Sequence, residues 1–219
     1  MRSVLFVAVV FGFVAVIVGR GQVVPADVSA TSCAQKLLTL PDYYKKYTLS
    51  FGNPNAPIKI HKFFSFVCPS CVMFHKHHFP AIRKQFIDTG KVYWTFVPYA
   101  MDVDTIQVMT AAAICQDIMK FKVFELVMEN AIKWSEENNK DKIIQILKSC
   151  GASDKIVEDS LKKDNYETVL RESCDFQEYI LIDGTPTLFV NGVEIPGIPN
   201  SKKLSKIIIG MLNLEEKLN

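Results

Sequence analysis

Two cysteines separated by two residues, in the run Cys68-Pro69-Ser70-Cys71, are the side chains of this sequence best suited to chemistry. A pair at this spacing can form and break a disulfide reversibly. We expect Cys68 at a helix N-terminus, where free N–H groups and the helix dipole favour a thiolate, and Cys71 one turn further in as the resolving thiol. Pro69 suits the first helical position, because its missing N–H costs nothing there. The alternatives are a structural disulfide or half of a zinc site.

Pro186 marks a second candidate position, within Gly184-Thr185-Pro186-Thr187. It opens a run that otherwise looks like a central strand, where proline is poorly tolerated. A cis peptide bond between Thr185 and Pro186 would explain its presence and would hold this loop against the two cysteines. The alternative is a proline that merely begins an edge strand.

The elements that must position these motifs can be predicted from the pattern of apolar residues. Ile58 to Phe66 reads as a short, aromatic-rich strand, and Val92 to Val97 as a second strand. Between them a helix should run from the cysteine pair to about Thr89, with a kink at Pro80. Strand, helix and strand in this order form a parallel βαβ unit with a right-handed crossover.

The pattern of the remaining residues predicts a helical block followed by two strands and a helix. Residues 102–182 carry apolar residues at helical spacing throughout and read as an all-helical insertion. Strands follow at 187–190 and 193–195, joined by a hairpin turn at Asn191-Gly192, and a last helix begins near Ser201. The predicted class is therefore α/β.

The predicted division of the chain has four parts. Residues 1–30 form an export segment, 31–52 a loose, partly helical lead-in, 53–101 and 183–219 the main domain, and 102–182 the insertion.

Composition excludes some functions. The chain has 219 residues, 49% of them hydrophobic, with 25 Lys and Arg against 23 Asp and Glu, so that its formal net charge is only +2. Such a chain can bury a core and is not disordered. Because no concentrated basic surface is expected, nucleic acid is not a predicted partner.

The N-terminus predicts export. An apolar run from Val4 to Val18 is short for a membrane span, which needs roughly 20 residues, but typical of a secretory signal. Cleavage after Ala30 is the favoured interpretation, and an uncleaved signal anchor or a lipoprotein site at Cys33 are alternatives. On each of them the folded part lies outside the cytoplasm, in the periplasm or an equivalent compartment, where disulfides persist.

Phe63-Phe64-Ser65-Phe66-Val67-Cys68-Pro69-Ser70-Cys71 together with Gly184-Thr185-Pro186-Thr187 resembles the DsbA family of thiol–disulfide oxidoreductases. The resemblance implies a thioredoxin-like fold with a helical insertion. It also implies that Cys68 is the exchanging sulfur, that Cys71 resolves, and that Thr185 and Pro186 form the cis-proline loop that pairs with substrate peptides. A membrane partner resembling DsbB would reoxidise the protein.

Two positions depart from the family pattern. The most oxidising members have Pro-His between the cysteines, where this chain has Pro69-Ser70. Relatives often have a carboxylate just before the double Phe, where this chain has Lys62. The Lys62 ammonium could point beneath the cysteines and favour a thiolate, or it could extend to solvent and have no effect.

Histidines close to the cysteines raise the alternative of a metal site. Cys68, Cys71, His75 and His78 together offer a plausible ligand count for zinc or copper. On one rigid helix, however, His78 would lie about 10 Å along the axis from Cys71, beyond the reach of a single ion. No metal is therefore predicted.

The other four cysteines, Cys33, Cys115, Cys150 and Cys174, allow three pairings that the sequence does not resolve. A structural disulfide joining Cys115 to Cys150 or Cys174 is the simplest prediction, and buried reduced thiols are the alternative.

The predicted function is an exported oxidoreductase that donates its Cys68–Cys71 disulfide to reduced, unfolded exported proteins. It needs no cofactor beyond this redox-active disulfide. The alternatives are a disulfide isomerase or reductase and, in a different class, a copper- or zinc-binding assembly factor that uses Cys68, Cys71 and a nearby histidine.

Overall fold

The structure is a computed structural model that describes residues 40–115, 117–130 and 139–218. The predicted export segment and Cys33 lie outside the described residues. Among the helices that are described, none is both long enough and apolar enough to cross a membrane.

A five-stranded mixed sheet forms the centre of the molecule. Its strands are β1 (Leu49–Phe51), β2 (Ile58–Phe64), β3 (Val92–Pro98), β4 (Thr187–Val190) and β5 (Val193–Ile195). They lie in the order β1-β3-β2-β4-β5. The central pair β2 and β3 is parallel, and the other neighbouring pairs are antiparallel.

Helices cover both faces of this sheet and fill the described part of the predicted insertion. They are α1 (Asp42–Lys45), α2 (Pro69–His77), α3 (Phe79–Ile82) with a π-helical turn at Arg83–Ile87, α4 (Val103–Ile114), α5 (Asp117–Asn130), α6 (Asn139–Ser149), α7 (Asp154–Leu161), α8 (Lys163–Ile180) and α9 (Ser201–Leu218).

Strand β2 separates two hydrophobic cores, because successive side chains of a strand point to opposite faces. Phe64 belongs to the larger core, with Trp94 and Phe96 of β3. Phe63 belongs to the smaller core, where its ring stacks on Phe176 of α8. Both faces of the strand that leads to the cysteine pair are thus covered, so the start of α2 is held from two sides.

The insertion is attached through its first helix. Asp102 caps α4 by accepting a hydrogen bond from the backbone N–H of Thr105 at 2.8 Å. Helix α4 then packs against α7 and α8, and α5 packs against α2. Because α5 contacts the helix that carries the cysteines, the insertion forms one wall of the region around them.

The predicted α/β class with a helical block is confirmed, and three details differ from the sequence-based expectation. Strand β2 ends at Phe64, two residues earlier than predicted. The helix after the cysteines is broken at His78, whose backbone leaves the helical region next to Pro80. The segment predicted as a loose lead-in contains β1, which pairs with β3 at the edge of the sheet.

Candidate active site

Cys68 and Cys71 lie at the start of α2, as the sequence predicts. Cys68 is the N-cap residue and Pro69 is the first residue of the helix. The backbone N–H groups of Cys71 and Val72 both donate to the Cys68 carbonyl, at 3.0 and 3.1 Å. Cys68 is partly exposed, Cys71 is completely buried, and both thiols are free. The pair thus has one sulfur that a large substrate can reach and one that it cannot.

The Thr185–Pro186 loop lies directly against Cys68. The thiol of Cys68 donates to the carbonyl oxygen of Thr185 at 3.3 Å, and the Thr185–Pro186 peptide bond is cis, as predicted. The Thr185 hydroxyl in turn donates to the sulfur of Met101 at 3.4 Å. The fold therefore brings the two motifs together at one exposed sulfur.

The two thiols have opposite acidities. The pKa of Cys68 is lowered to about 5, chiefly by a hydrogen bond from the Cys71 thiol, with help from the Thr185 side chain and from backbone groups of Cys71 and Ser70. Burial, followed by the hydrogen bond to Cys68, raises the pKa of Cys71 well above its ordinary value. At neutral pH the reduced pair therefore consists of a Cys68 thiolate and a Cys71 thiol. This asymmetry suits an attacking sulfur and a resolving sulfur.

Lys62 lies beneath the pair, with its side chain fully buried. Its ammonium nitrogen donates to the carbonyl oxygen of Cys71 at 3.2 Å and lies 4.7 Å from the ring centroid of Phe74 and 5.4 Å from that of Phe96. Burial lowers the pKa of Lys62 to about 8, although the nearby thiols of Cys71 and Cys68 act in the opposite direction. The alternative that Lys62 extends to solvent is therefore wrong.

Ser65 is a site residue that the sequence analysis missed. Its buried hydroxyl accepts from the backbone N–H of Val67 at 3.2 Å and lies 3.2 Å from the hydroxyl of Thr105 on α4. Its carbonyl accepts from the N–H of Cys68 at 3.4 Å. Ser65 therefore ties the turn before the cysteines to the insertion. A small polar residue inside an otherwise aromatic run was the only sequence signal.

The histidines of α2 have separate environments. His75 is buried, with its Nε2 atom 3.3 Å from a carboxylate oxygen of Glu125, and its ring stacks on Phe79. His77 is exposed and His78 lies at the helix break. Within residues 40–115, 117–130 and 139–218, no group of three or more His, Cys, Asp or Glu side chains is placed to hold a metal ion.

Three of the other cysteines lie in the insertion as free thiols. Cys115 and Cys150 are buried against the larger core, and Cys174 on α8 is exposed. Burial raises the pKa of Cys115 and Cys150, and in Cys115 the proximity of Cys150 adds to the effect. Cys115 and Cys150 are thus neighbours in the fold. A disulfide in the insertion stays a prediction.

Comparison with known proteins places this site in a family. A family model described as thioredoxin matches residues 45–209, most of the chain. The chain belongs to the thioredoxin family. The crystal structure of alpha-DsbA1 from Wolbachia pipientis superimposes with a TM-score of 0.72 at 21% identity, covering 85% of this chain and 100% of that one. BdbD from Bacillus subtilis superimposes with a TM-score of 0.64 at 22% identity, covering 77% and 94%. These thioredoxin-family structures confirm the DsbA-like fold.

Relatives in sequence have matching names. A Rickettsia bellii protein named "Putative protein-disulfide oxidoreductase" is 28% identical over 159 residues, which cover 65% of this chain and 56% of that protein. Disulfide bond formation protein D of Bacillus subtilis is 23% identical over 167 residues, covering 72% and 73%. This thioredoxin-family chain spans little more than half the length of the rickettsial relatives it matches.

Proposed function

We propose that this protein is a protein thiol–disulfide oxidoreductase that transfers the Cys68–Cys71 disulfide to thiols of reduced, unfolded proteins. One observation carries the proposal: a partly exposed Cys68 with a pKa lowered to about 5 stands beside a buried Cys71 whose pKa is raised. The names of the sequence relatives support the same activity.

The reaction proceeds by two displacements at sulfur. A substrate thiolate attacks Cys68 Sγ, a new disulfide forms between them, and the electron pair of the Cys68–Cys71 bond goes to Cys71. A second substrate thiolate then attacks the substrate sulfur of this mixed disulfide, and Cys68 leaves as a thiolate. The substrate has lost two electrons and the cysteine pair has gained them. No metal, nucleotide or flavin takes part.

The direction of exchange follows from the thiolate of Cys68. A thiol with a low pKa is a good leaving group, and its stabilised thiolate favours the reduced form of the protein. The protein therefore acts as an oxidant of other dithiols. Hydrogen bonds from the Cys71 thiol, the Thr185 side chain and the backbone provide this stabilisation, although Ser70 stands where strongly oxidising relatives have histidine.

The Thr185–Pro186 loop holds the substrate. Pro186 has no N–H to compete for the substrate sulfur, and Thr185 already contacts Cys68 through its carbonyl oxygen. A substrate peptide that reaches Cys68 must pass this loop, so that its own backbone can pair with Thr185.

The compartment and partners belong to the same proposal. The apolar run from Val4 to Val18 supports export, with removal of the signal after Ala30 or retention of the segment as an anchor. Outside the cytoplasm the protein would oxidise exported clients, and a membrane protein resembling DsbB would restore the disulfide.

The decisive experiment is oxidation of a reduced, unfolded protein with several cysteines by the purified protein in its disulfide form. We expect stoichiometric loss of substrate thiols and a reduction potential above that of thioredoxin, about −270 mV. A lower potential, with preferential reduction or reshuffling of disulfides, would favour the reductase or isomerase alternative. Metal analysis of the same preparation tests the copper- or zinc-binding alternative.

A further inference from the structure

We propose that Lys62 exchanges a proton with Cys71, as an acid when the active-site disulfide opens and as a base when it forms again. The proposal deepens the proposed thiol–disulfide exchange and depends on it. It concerns the buried half of the reaction, which the substrate itself does not reach.

Lys62 lies directly beneath Cys71. On β2 it stands in register with Phe96 of β3 and Leu188 of β4, and its ammonium reaches the Cys71 carbonyl at 3.2 Å. It is fully buried, and in the described part of the chain no carboxylate oxygen lies within 4 Å of its nitrogen. A buried ammonium without a carboxylate is costly, so its location beneath Cys71 calls for a functional reason.

The groups that face this ammonium come from α2, β3 and β4. From α2, the thiols of Cys71 and Cys68 are the groups that act on its charge, Cys71 more strongly. Phe96 from β3 and Leu188 from β4 are apolar. His75, which also contacts Phe96, has its Nε2 atom paired with Glu125 of α5. The proton of Lys62 is therefore governed by the redox state of the two cysteines.

Cys71 needs a proton when the disulfide opens. When a substrate thiolate opens the disulfide, the electron pair arrives at Cys71 Sγ, whose buried surroundings disfavour a thiolate. Transfer of a proton from the Lys62 ammonium yields a thiol and a neutral amine and leaves no separated charge. When the disulfide forms again, the neutral amine takes the proton of Cys71 as Cys71 attacks Cys68, and the leaving sulfur carries away the electron pair.

A lysine at position 62 differs from a carboxylate because its protonated form is the charged one. A neutral lysine costs little to bury, and a nearby thiolate stabilises the ammonium beyond its contacts with the Cys71 carbonyl and the Phe74 ring. While Cys68 is a thiolate, its charge should therefore hold a proton on Lys62, and capture of Cys68 in a mixed disulfide should release that proton, which leaves the amine neutral for the attack of Cys71. The protonation of one buried side chain thus follows the charge on the two cysteines.

The test isolates the step in which Cys71 attacks. A mixed disulfide of Cys68 with glutathione is prepared, and the release of glutathione by Cys71 is followed as a function of pH. The range extends about two pH units on either side of the Lys62 pKa of about 8. In the wild type the rate should rise with pH and level off above about pH 8, where Lys62 is neutral. In Lys62→Met it should fall roughly 10²-fold near pH 8 and keep rising at higher pH.

Lys59→Met is the matched control, because Lys59 lies on the same strand and its ammonium contacts the Pro54 carbonyl and the Tyr93 ring instead of the cysteines. It should keep the wild-type rates and the levelling near pH 8. A Lys62→Met protein that keeps both would overturn the role of Lys62 while leaving the proposed function intact. A wild type whose disulfide does not oxidise thiols at all would instead refute the proposed function.

A second measurement needs no variant. Nuclear magnetic resonance of the Lys62 side chain in the wild type should give a lower pKa in the disulfide form than in the reduced form, since the Cys68 thiolate is present only in the latter. An ordinary lysine pKa, about 10.4, in both forms would refute the proposal.

Discussion

The sulfur of Cys68 and the carbonyl oxygen of Thr185 lie 3.3 Å apart, although 117 positions separate the two residues in the chain. The contact suits a thiol, which can donate to the carbonyl. It does not suit a thiolate, which is itself an acceptor. Loss of the Cys68 proton therefore removes the donor to the Thr185 carbonyl, and under the proposed function this carbonyl can then accept from a substrate backbone. The ionisation of Cys68 and the availability of the Thr185 carbonyl as a hydrogen-bond acceptor are thereby linked.

Serine substitutions should separate the roles of the two cysteines. Cys68→Ser should abolish exchange, because no other accessible sulfur stands at the helix N-terminus. Cys71→Ser should accumulate mixed disulfides with substrates, because the resolving thiol is gone. Non-reducing gels with a reduced protein substrate measure both. Cys174→Ser, which removes an exposed thiol elsewhere, should behave as wild type. Full oxidase activity in Cys68→Ser would contradict the assignment.

The thiolate absorbance of the reduced protein should change with a midpoint near pH 5. Cys68 accounts for this change, since its pKa is lowered to about 5, while Cys71 stays protonated because its pKa is raised. Because folding lowers the Cys68 pKa, its thiolate stabilises the folded reduced protein when the pH is above the pKa of this cysteine in the unfolded chain. This contribution is lost as the pH falls through about 5. Denaturant unfolding of the reduced and disulfide forms at pH 7 and pH 4 measures it. An absorbance midpoint near the free-cysteine value would refute the low pKa.

Replacing Lys62 by methionine should stabilise the fold while it slows exchange. Removal of a buried charge by an apolar residue of similar volume should raise the free energy of unfolding at pH 7 by about 1–3 kcal/mol. Because the folded pKa of Lys62 is depressed to about 8 from 10.5, the unfolded chain binds more protons between these values. The free energy of unfolding of the wild type should therefore rise relative to that of the variant, and the difference between them should shrink, as the pH rises from 8 to 10.5. Denaturation of the disulfide forms across this window tests it. A difference that is independent of pH would contradict a depressed Lys62 pKa.

Lys62→Glu should shift the chemistry in the opposite direction. A carboxylate close to the cysteines disfavours a second negative charge, so the pKa of Cys68 should rise and the protein should become a weaker oxidant. Thiolate absorbance against pH, in the variant and the wild type, provides the comparison. An unchanged or lower Cys68 pKa would show that the charge at position 62 does not act on the exposed sulfur.

Gly52 should tolerate alanine much less well than Gly90. Both have positive φ angles, +94° and +73°, so each alanine should cost about 1–2 kcal/mol of backbone strain. At Gly52 a Cβ would also meet the Val92 carbonyl oxygen at 2.5 Å, whereas at Gly90 it would meet nothing within 4 Å. The clash should add about 1–3 kcal/mol to the loss of unfolding free energy in Gly52→Ala. Equal losses in the two variants would argue against close packing of the β1–β2 turn on β3.

Alkylation should modify the thiols of the reduced protein in a fixed order. Cys68 should react first because it is accessible and ionised, and exposed Cys174 should follow. Cys115 and Cys150 should react only after unfolding, because both are buried with raised pKa values. Peptide mass spectrometry gives the order. If Cys115 and Cys150 of protein purified without reductant stay unmodified after unfolding until a reductant is added, they form the disulfide that the sequence predicts.

Most of the sheet could be predicted from the sequence because its strands have strong local signals. The hairpin of β4 and β5 is marked by Asn191-Gly192, and the structure gives Asn191 a φ of +46°. Strand β1 has only three residues and forms through pairing with β3, so nothing in its own composition distinguishes it from a loop. The sequence predicts a kink at Pro80, and the structure has a full break at His78 instead, because a proline can either kink a helix or begin a new one.

The site was predicted where chemistry depends on residue type and missed where it depends on orientation. The spacing of Cys68 and Cys71 and the proline at position 186 are visible in the sequence. Whether the long side chain of Lys62 points inward or outward is not visible, because a lysine can satisfy either environment. Ser65 was overlooked because a buried serine acquires its role only through partners such as Thr105, which are distant in sequence.

The pairing of β2 with β4 has a consequence for biosynthesis. Residues 60–63 pair with 187–190, so the strand that leads to Cys68 lacks one of its neighbours until the last part of the chain has been made. Because synthesis begins at the N-terminus, Cys68 is made well before Thr185, and its sulfur is present before the Thr185 carbonyl can contact it. Contacts of such long sequence separation also form late in folding. Until the C-terminal part of the chain is in place, Cys68 therefore lacks the Thr185 contribution to its lowered pKa, so its thiol is less ionised than in the complete fold.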